Sequence, residues 1–164
     1  MYKQNLVEKP ELPLSYMAGS TYFKLFMADV GLLRRKAGVY YKTILNGDEH
    51  YIRFKGALAE NYVAGQLVSH GFPCYFWRSG NTAELDFLTE HEGKIIPIEV
   101  KAADNTKAKS FPCFISKYQP ETGFKMSLKS VGEYIEKGTR IISLPLYQFF
   151  RMTDYIHEAE EKDT

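Results

Sequence analysis

A chain of 164 residues is long enough to bury a core of useful size, and one domain is the default expectation at that length. Its composition, 45% hydrophobic and 15% aromatic, is that of an ordinary globular protein, and its formal net charge of +1 excludes a strong overall attraction to nucleic acid or to an anionic membrane. No apolar run approaches the roughly 20 residues of a membrane span, and no signal peptide opens the chain. We therefore expect a cytoplasmic protein with no membrane partner.

Two further absences narrow the chemistry. The cysteines, Cys74 and Cys113, lack the spacing of a metal site or a disulfide framework, so we expect buried free thiols in a reducing compartment. No Gly-x4-Gly-Lys-Ser/Thr loop occurs, so the chain on its own has no Walker-type nucleotide site.

The first forty residues open with a segment of little periodicity. Residues 1–19 contain two prolines, which predicts an arm or the end of a linker. Residues 22–28 form an apolar run with strand character. Asp29 is a suitable cap for a short helix over residues 30–36, which Gly38 would end.

Residues 56–70 make the strongest helix prediction, because side chains of one stripe recur at i, i+3, i+4, i+7 and i+8. Gly71 lies where a C-terminal cap belongs. The stripe begins with a carboxylate, Glu60. This acid is either directed inward or placed at the edge of the stripe in water, and the helix alone does not decide between the two.

The C-terminal half alternates strands with a helix. Strands are predicted at 74–77, 123–128 and 140–144, the last continuing through Pro145 into 147–152, and a helix is predicted over 111–118. The charged residues 153–164 are expected to form a polar tail, which leaves residues 20–152 as the domain between that tail and the arm at 1–19. This order predicts a mixed α/β or α+β fold with one central sheet.

The most distinctive stretch covers residues 83–101, where two apolar runs flank a short polar loop that contains a glycine. This pattern is typical of a hairpin of buried strands. Side chains alternate across a strand, so we expect Glu84 and Asp86 to share one face, and Glu99 and Lys101 to share one face. Acids in such strands are unusual, because a buried charge is costly unless it is paired or holds a metal.

Three carboxylates from a helix and two adjacent strands would supply the oxygen ligands that Mg²⁺ prefers: Glu60, Asp86 and Glu99. An ion held there would polarise a phosphodiester and acidify a water molecule, while Lys101 orients or activates that water and balances the negative charge. The competing interpretation is a surface hairpin on which Glu99 and Lys101 are solvated neighbours of little energetic importance. The residues alone leave both interpretations open.

Two strand pairs and a helical acid resemble the motif of the PD-(D/E)xK nuclease superfamily: Glu60, Glu84-x-Asp86 and Glu99-x-Lys101. The resemblance implies a restriction endonuclease-like fold, in which helices flank a central mixed sheet. By position, Asp86, Glu99 and Glu60 match the metal-binding and catalytic acids. Lys101 matches the catalytic lysine, and Glu84 is an additional acid. The helix after the lysine often brings another polar residue to the site, and the candidates here are Lys107, Lys109 and Ser110.

A wider resemblance covers most of the chain. Six segments in order look like the C-terminal domain of unknown function in prokaryotic AAA-type ATPases: 24–33, 56–63, 75–79, 83–87, 97–101 and 145–147. In those proteins an N-terminal P-loop module precedes a nuclease-like domain. The resemblance therefore implies an N-terminal ATPase domain as the partner within the parent chain, and ATP as a cofactor of that module alone.

Two functions of different classes follow as expectations. The first is a Mg²⁺-dependent phosphodiesterase on DNA or RNA, with phosphate contacts from basic side chains: Arg78, Lys94, Lys107 and Lys109. The second is a catalytically silent nuclease-fold module that binds nucleic acid or a protein partner and regulates the attached ATPase. Its contact surface would come from aromatic side chains, which in most proteins are core: Tyr22, Phe23, Tyr75, Phe76, Trp77, Phe149 and Phe150.

Overall fold

The computed structural model describes residues 1–42, 51–80, 83–102 and 109–161, and within them one mixed sheet holds eight strands. The strands are β1 (Tyr2–Val7), β2 (Ala18–Phe26), β3 (Tyr75–Ser79), β4 (Ala83–His91), β5 (Lys94–Lys101), β6 (Thr122–Ser127), β7 (Gly132–Glu136) and β8 (Thr139–Pro145). The helices are α1 (Leu14–Met17), α2 (Val30–Lys36), α3 (Ile52–Ser69), α4 (Ser110–Tyr118), a 3-10 helix (Leu146–Arg151) and α5 (Met152–Glu161). The expected mixed fold with one central sheet is confirmed.

The strands follow the order β2-β1-β3-β4-β5-β6-β8-β7 across the sheet. Strands β3, β4 and β5 form an antiparallel meander, whereas β5, β6 and β8 run parallel to one another. A parallel neighbour has to be reached by a crossover, and α4 lies in the crossover from β5 to β6. The meander and the parallel half therefore meet at β5, the strand that carries Glu99 and Lys101.

Buried side chains lie against both faces of the sheet in two clusters. The first joins α3 to the sheet, the 3-10 helix and α5, and includes Val63, Ala64, Leu67, Phe87, Ile98, Phe124, Phe149 and Ile156. The second packs α4 against the other face and includes Trp77, Leu85, Leu88, Phe111, Phe114 and Ile141. Helices thus cover both faces, and this double cover keeps the central strands β4, β5 and β6 out of water.

The two ends of the chain differ from the sequence expectation. Residues 1–19, expected to be an arm, contribute β1 to the interior of the sheet, between β2 and β3. A hydrophobic pattern does not indicate this strand, because many of its residues are polar. Even Gln4, which is buried, has an amide side chain. Residues 153–161, expected to lie in a polar tail, belong to α5, where Ile156 is buried.

Most internal elements agree with their predictions within a few residues. The side chain of Asp29 caps α2 by accepting a hydrogen bond from the Leu32 N–H at 2.9 Å. Gly71, after α3, has a φ of 78°, which suits a glycine. Strand β7 was not predicted, and residues 147–152 form 3-10 and α-helical turns rather than a strand, because β8 ends at Pro145. None of the described helices is both long and apolar enough to cross a membrane.

The cysteines are free, but they are not both buried as expected. Burial raises the pKa of the half-buried Cys74 to about 12, so its thiol stays protonated and unreactive. Cys113 is exposed on α4, which corrects the expectation of a buried thiol there. The helix turns this position away from the sheet, while its neighbours Phe114 and Ile115 are fully buried.

Gly123→Ala is expected to destabilise the protein by about 1–3 kcal/mol, the usual cost of overpacking. A Cβ at Gly123 would lie 3.0 Å from Phe111 Cζ and 3.2 Å from Pro97 Cγ, between β6 and α4. Gly56→Ala is the matched control, because nothing lies within 4 Å of its added methyl group, and we expect it to stabilise α3 by about 0.5–1 kcal/mol. Urea unfolding measures both, and a neutral Gly123→Ala would contradict the close packing.

Candidate active site

The predicted hairpin of β4 and β5 is present, and its backbone pairing ends next to Asp86. Strands β4 and β5 pair antiparallel from His91 and Lys94 at the turn to Phe87 and Ile98. Beyond that last pair, the N–H of Val100, two residues after Ile98, donates to Oδ2 of Asp86, one residue before Phe87, at 2.8 Å. The carboxylate of Asp86 therefore replaces a backbone carbonyl as the acceptor where the ladder of hydrogen bonds between β4 and β5 ends. This hydrogen bond holds Asp86 at the point where the two strands diverge.

A β-bulge in β4 sets the direction of Asp86. Tyr75 and Trp77 of β3 stand opposite Leu88 and Leu85 of β4, so β4 carries one extra residue between the two pairs. Leu85 and Leu88 accordingly belong to the core on the α4 side, whereas Phe87 belongs to the other core. Bulges of this kind often occur beside active sites, where they redirect a side chain. The bulge interrupts strict alternation between Leu85 and Leu88, whereas Glu84 and Asp86, expected to share one face, both interact with Lys24.

The backbone of Asp86 is held from the other side by β1. The fully buried side chain of Gln4 donates from Nε2 to the carbonyl oxygens of Tyr75 and Asp86, at 2.8 Å in each case. One amide thus ties three strands together next to the acid. The sequence pattern does not single out Gln4, because this residue lies in the segment expected to be an arm.

Glu99 and Lys101 lie together on β5, as alternation predicts. Their side chains form an ion pair, with Lys101 Nζ 3.1 Å from Glu99 Oε1. Glu99 is only 5% exposed, so this carboxylate is not a solvated surface group. A buried carboxylate beside a partly exposed ammonium is the arrangement that the active-site interpretation requires, and the solvated-hairpin interpretation does not describe it.

Glu60 is half-buried on α3, and the next residue fixes this part of the helix. Asn61 accepts from the Met27 N–H at 2.8 Å and donates to the Met27 carbonyl at 3.0 Å, which docks α3 onto the end of β2. Burial, and then the charge of Asp86, raises the pKa of Glu60. Glu60 is therefore a neighbour of Asp86.

The charges show which side chains share the site. Burial is the main reason why the pKa values of Glu60, Asp86 and Glu99 all lie above their ordinary values. The charge of Asp86 adds to this rise at both glutamates, while the ammonium of Lys101 opposes it at all three acids. Asp86 and Lys101 are therefore each within electrostatic range of both Glu60 and Glu99.

The three carboxylates do not form a closed ligand cage. Among the described residues, sets of three His, Cys, Asp or Glu ligand atoms within 4.8 Å of one another do not include Glu60, Asp86 and Glu99. The Val100 N–H holds Asp86, and Lys101 attracts Glu99, so the acids point to different partners. A Mg²⁺ bound directly by all three at about 2.0–2.1 Å would need closer approach, but Mg²⁺ usually keeps several waters and takes one or two carboxylates.

A second cationic group stands beside the acids and was missed by the sequence analysis. Lys24 of β2 pairs with Glu84 Oε1, and Arg78 Nη2 pairs with Glu84 Oε2 at 2.6 Å. The charge of Lys24 also opposes the raised pKa values of Glu60 and Asp86. A lysine inside an apolar strand run was the available signal, since such a charge needs a partner.

The polar candidates after Lys101 are only partly described. Lys107 lies outside the described residues, and Lys109 is exposed. The hydroxyl of Ser110, at the start of α4, accepts from the Glu84 N–H at 3.3 Å. Of the three candidates, Ser110 is therefore the one seen in contact with the strand that bears the acids.

Glu84→Gln is expected to destabilise the protein by about 1 kcal/mol, since two cations would lose a partly exposed carboxylate. Burial alone would raise the pKa of Glu84, but Lys24 and Arg78 outweigh it and the net pKa is lowered from 4.5. The unfolded chain thus binds the proton more tightly, so this contribution is present above about pH 4.5 and is lost as the pH falls through the lower folded value. Urea unfolding of both proteins should show their difference shrinking in acid; a constant difference from pH 7 to 3 would contradict the pairing.

Comparison with known proteins assigns a large part of the chain to a family. Residues 55–147, more than half of the chain, match the domain of unknown function DUF4143. The matched span contains Glu60, Asp86, Glu99 and Lys101 and leaves out Gln4 and Lys24. Comparisons with curated proteins and with solved structures gave no match. On the strength of the family match, the chain belongs to the family of the domain of unknown function DUF4143.

Proposed function

We propose that this domain is a Mg²⁺-dependent phosphodiesterase of the PD-(D/E)xK type that acts on DNA or RNA. The observation that carries the proposal is the ion pair of Lys101 Nζ with the buried Glu99 at 3.1 Å, on the strand whose Val100 N–H donates to Asp86. The charge of Lys101 also acts on Asp86 and, more weakly, on Glu60 of α3. Folding alone does not require acids from distant parts of the sequence to lie near one another, because each buried charge raises the free-energy cost of burying the others.

The residues fit a hard divalent cation. Their donor atoms are carboxylate oxygens, and burial keeps the pKa values of all three acids raised despite Lys101. Asp86 and Glu99 would hold the ion, with Glu60 as a third ligand or as a partner of a coordinated water. When bound, Mg²⁺ supplies Lewis-acid polarisation of the phosphodiester and acidifies a water.

The protein's own groups then have separate tasks. Lys101 orients the attacking water and interacts with negative charge that develops on the phosphate. Glu99 holds that ammonium at 3.1 Å, and the Val100 N–H holds Asp86. The water oxygen bonds to phosphorus as the phosphorus–oxygen ester bond breaks, and the departing oxygen leaves with a proton as a hydroxyl group.

We further propose that the domain follows an ATPase module in a cytoplasmic parent protein, where ATP is a cofactor of that module. The support is the resemblance of six ordered segments to the C-terminal domain of prokaryotic AAA-type ATPases. Two of the basic residues considered for nucleic acid already have acidic partners, Arg78 with Glu84 and Lys94 with Glu121 at 3.0 Å. Phosphate contacts from those two residues would therefore compete with ion pairs.

A second candidate function is the silent module that docks on a partner and regulates the ATPase. The edge strand β2 favours it, because large apolar side chains are exposed there: Tyr22, Phe23 and Leu25. Trp77 and Phe149, in contrast, are buried and cannot form such a surface. The two functions differ in one measurable respect, which is turnover.

The deciding experiment combines metal titration with cleavage. Calorimetric titration with Mg²⁺ and Mn²⁺ should show binding by the wild type and much weaker binding by Asp86→Ala. Labelled single- and double-stranded DNA and RNA should be cut by the wild type with either ion, and should stay intact with EDTA or with the variant. A wild type that takes up neither ion and leaves every substrate intact would overturn catalysis by this domain, and the docking function would then be preferred.

A further inference from the structure

Two histidines and a glutamate meet on the opposite end of the central hairpin from the acids. Strand β4 ends at His91, Glu92 follows it in the tight turn to β5, and α5 brings His157 to them. Ligand atoms of the three side chains lie within 4.8 Å of one another. His157 Nε2 is 3.5 Å from Glu92 Oε2, and His91 Nε2 is 4.0 Å from Glu92 Oε1.

The nitrogen of His91 supplies an independent reason to expect a ligand. His91 Nε2 is buried and has no hydrogen-bond partner among the described residues. The ring itself is held by aromatic neighbours, with Phe72 at 5.2 Å and His157 at 5.8 Å between ring centroids. A buried nitrogen without a partner is costly, so a bound atom at this place would remove an existing penalty.

The backbone of the turn also favours a specific position for the carboxylate. Glu92 and Gly93 both have positive φ, 48° and 75°, the pattern of a two-residue turn that favours Asn or Gly at the first position. Glutamate there costs about 1–2 kcal/mol relative to a relaxed backbone. The turn places the Glu92 carboxylate 4.0 Å from His91 Nε2 and 3.5 Å from His157 Nε2.

The distances suit a tetrahedral ion of intermediate softness. Zn²⁺ binds imidazole nitrogen and carboxylate oxygen at about 2.0–2.2 Å, so neighbouring ligand atoms of a tetrahedral site are about 3.3–3.5 Å apart. Glu92 Oε2 and His157 Nε2, 3.5 Å apart, already have this separation, whereas His91 Nε2 is 4.0 Å from the other oxygen, Glu92 Oε1. The three ligand atoms lie within 4.8 Å of one another, so a single ion requires them to close by up to about 1.4 Å. Two imidazoles and one carboxylate favour Zn²⁺ over Mg²⁺.

We propose that His91, Glu92 and His157 form a Zn²⁺ site that clips helix α5 to the β4–β5 turn. The fourth position is left to water, as in other sites with two histidines and one glutamate. The Glu92 and His157 side chains are 50% and 54% exposed, so an ion reaches them without any rearrangement of the core. The site is separate from the proposed Mg²⁺ site, since it shares none of Glu60, Asp86, Glu99 or Lys101.

The test uses the full chain and Zn²⁺ or Co²⁺ as the probe. Competition against a chromophoric chelator should give one Zn²⁺ per chain, and Co²⁺ should give the visible absorption of a tetrahedral complex with nitrogen and oxygen ligands. Zn²⁺ at about 100 times its Kd should raise the Tm by about 5–10 °C. Hydrogen exchange should slow in α5 and in the turn, because the ion joins the two segments.

Matched variants make the proposal falsifiable without risk to the core. His157→Ala and Glu92→Gln alter exposed groups, and each should weaken Zn²⁺ binding by at least about tenfold and remove the Tm shift. His70→Ala, at an exposed histidine outside the cluster, and Asp86→Asn should both bind Zn²⁺ as the wild type does. Equal Zn²⁺ binding in the wild type and in both cluster variants would overturn the proposal, as would binding that Asp86→Asn abolishes.

Discussion

Asp86→Asn is expected to abolish Mg²⁺-dependent cleavage and, at the same time, to stabilise the metal-free protein. The rate should fall by at least about 10²–10³-fold, the range for removal of one preorganised electrostatic group. The amide oxygen of the variant can still accept from the Val100 N–H, so the strand geometry is kept. Stability at pH 7 should rise by about 0.5–2 kcal/mol, because the cost of burying a charged carboxylate is gone.

The dependence of the free energy of unfolding on pH should also differ between the wild type and Asp86→Asn. Burial raises the pKa of Asp86, against the Val100 N–H and the nearby lysines. The folded protein then holds this proton more tightly than the unfolded chain, so the contribution of Asp86 to stability is greatest in acid and declines as the pH rises from about 4 through the raised value. The variant should lose this part of the decline and keep the part that comes from Glu60 and Glu99. Urea unfolding from pH 4 to pH 8, without divalent ions, measures it.

Glu84→Gln is the natural comparison, since it neutralises a second acid two residues away. Its acid is paired with Lys24 and Arg78, so the two substitutions should change stability at pH 7 in opposite directions. Mg²⁺ should stabilise the wild type and Glu84→Gln, and should leave Asp86→Asn unchanged. Equal cleavage by Asp86→Asn and the wild type would refute the assignment of this carboxylate.

Lys101→Met is expected to slow cleavage by about 10²–10⁴-fold while Mg²⁺ binding is kept or improved. Methionine retains the length of the side chain but supplies no ammonium to orient water. Loss of a positive charge near three carboxylates favours a cation there, so the Kd for Mg²⁺ should not rise. The metal-free variant should be less stable by about 1–3 kcal/mol, because the buried Glu99 loses its partner at 3.1 Å.

Single-turnover cleavage at saturating Mg²⁺ separates these effects from weak binding. The lysine role requires a fall in the rate constant at an unchanged or lower Mg²⁺ requirement. Lys125→Met is a suitable control, because Lys125 also interacts with Glu99 but hydrogen-bonds to the Tyr134 hydroxyl at 2.6 Å. Equal losses of rate in both variants would indicate a general effect of charge rather than a position-specific one.

The central part of the fold could be predicted from the sequence because its signals are local. Asp29, Gly71 and the hairpin of β4 and β5 depend on caps, periodicity and turns within a few residues. Strand β1 could not be predicted in this way, because it lies inside the sheet between β2 and β3, and β3 is about seventy residues away in the sequence. Its polar residues satisfy the neighbouring backbone rather than an apolar core, as Gln4 shows.

The same distinction between local signals and long-range pairing applies to the residues of the candidate site. Residue types and the resemblance were enough to select Glu60, Asp86, Glu99 and Lys101 as candidates, and the structure pairs Lys101 with Glu99. The bulge in β4, the amide of Gln4 and the cation of Lys24 are products of tertiary pairing, and the spacing of residues carries no record of them. The roles of these residues in metal binding and catalysis stay predictions until they are measured.

The placement of β1 has a consequence for how the protein forms. Gln4 meets Tyr75 and Asp86 across sequence separations of 71 and 82 residues, so the first strand has no parallel neighbour until most of the hairpin has been synthesised. Closing such a long loop is entropically slow. The pair of β1 and β2 can therefore form early, whereas β1 docks beside β3 and anchors Asp86 only after the hairpin has been synthesised.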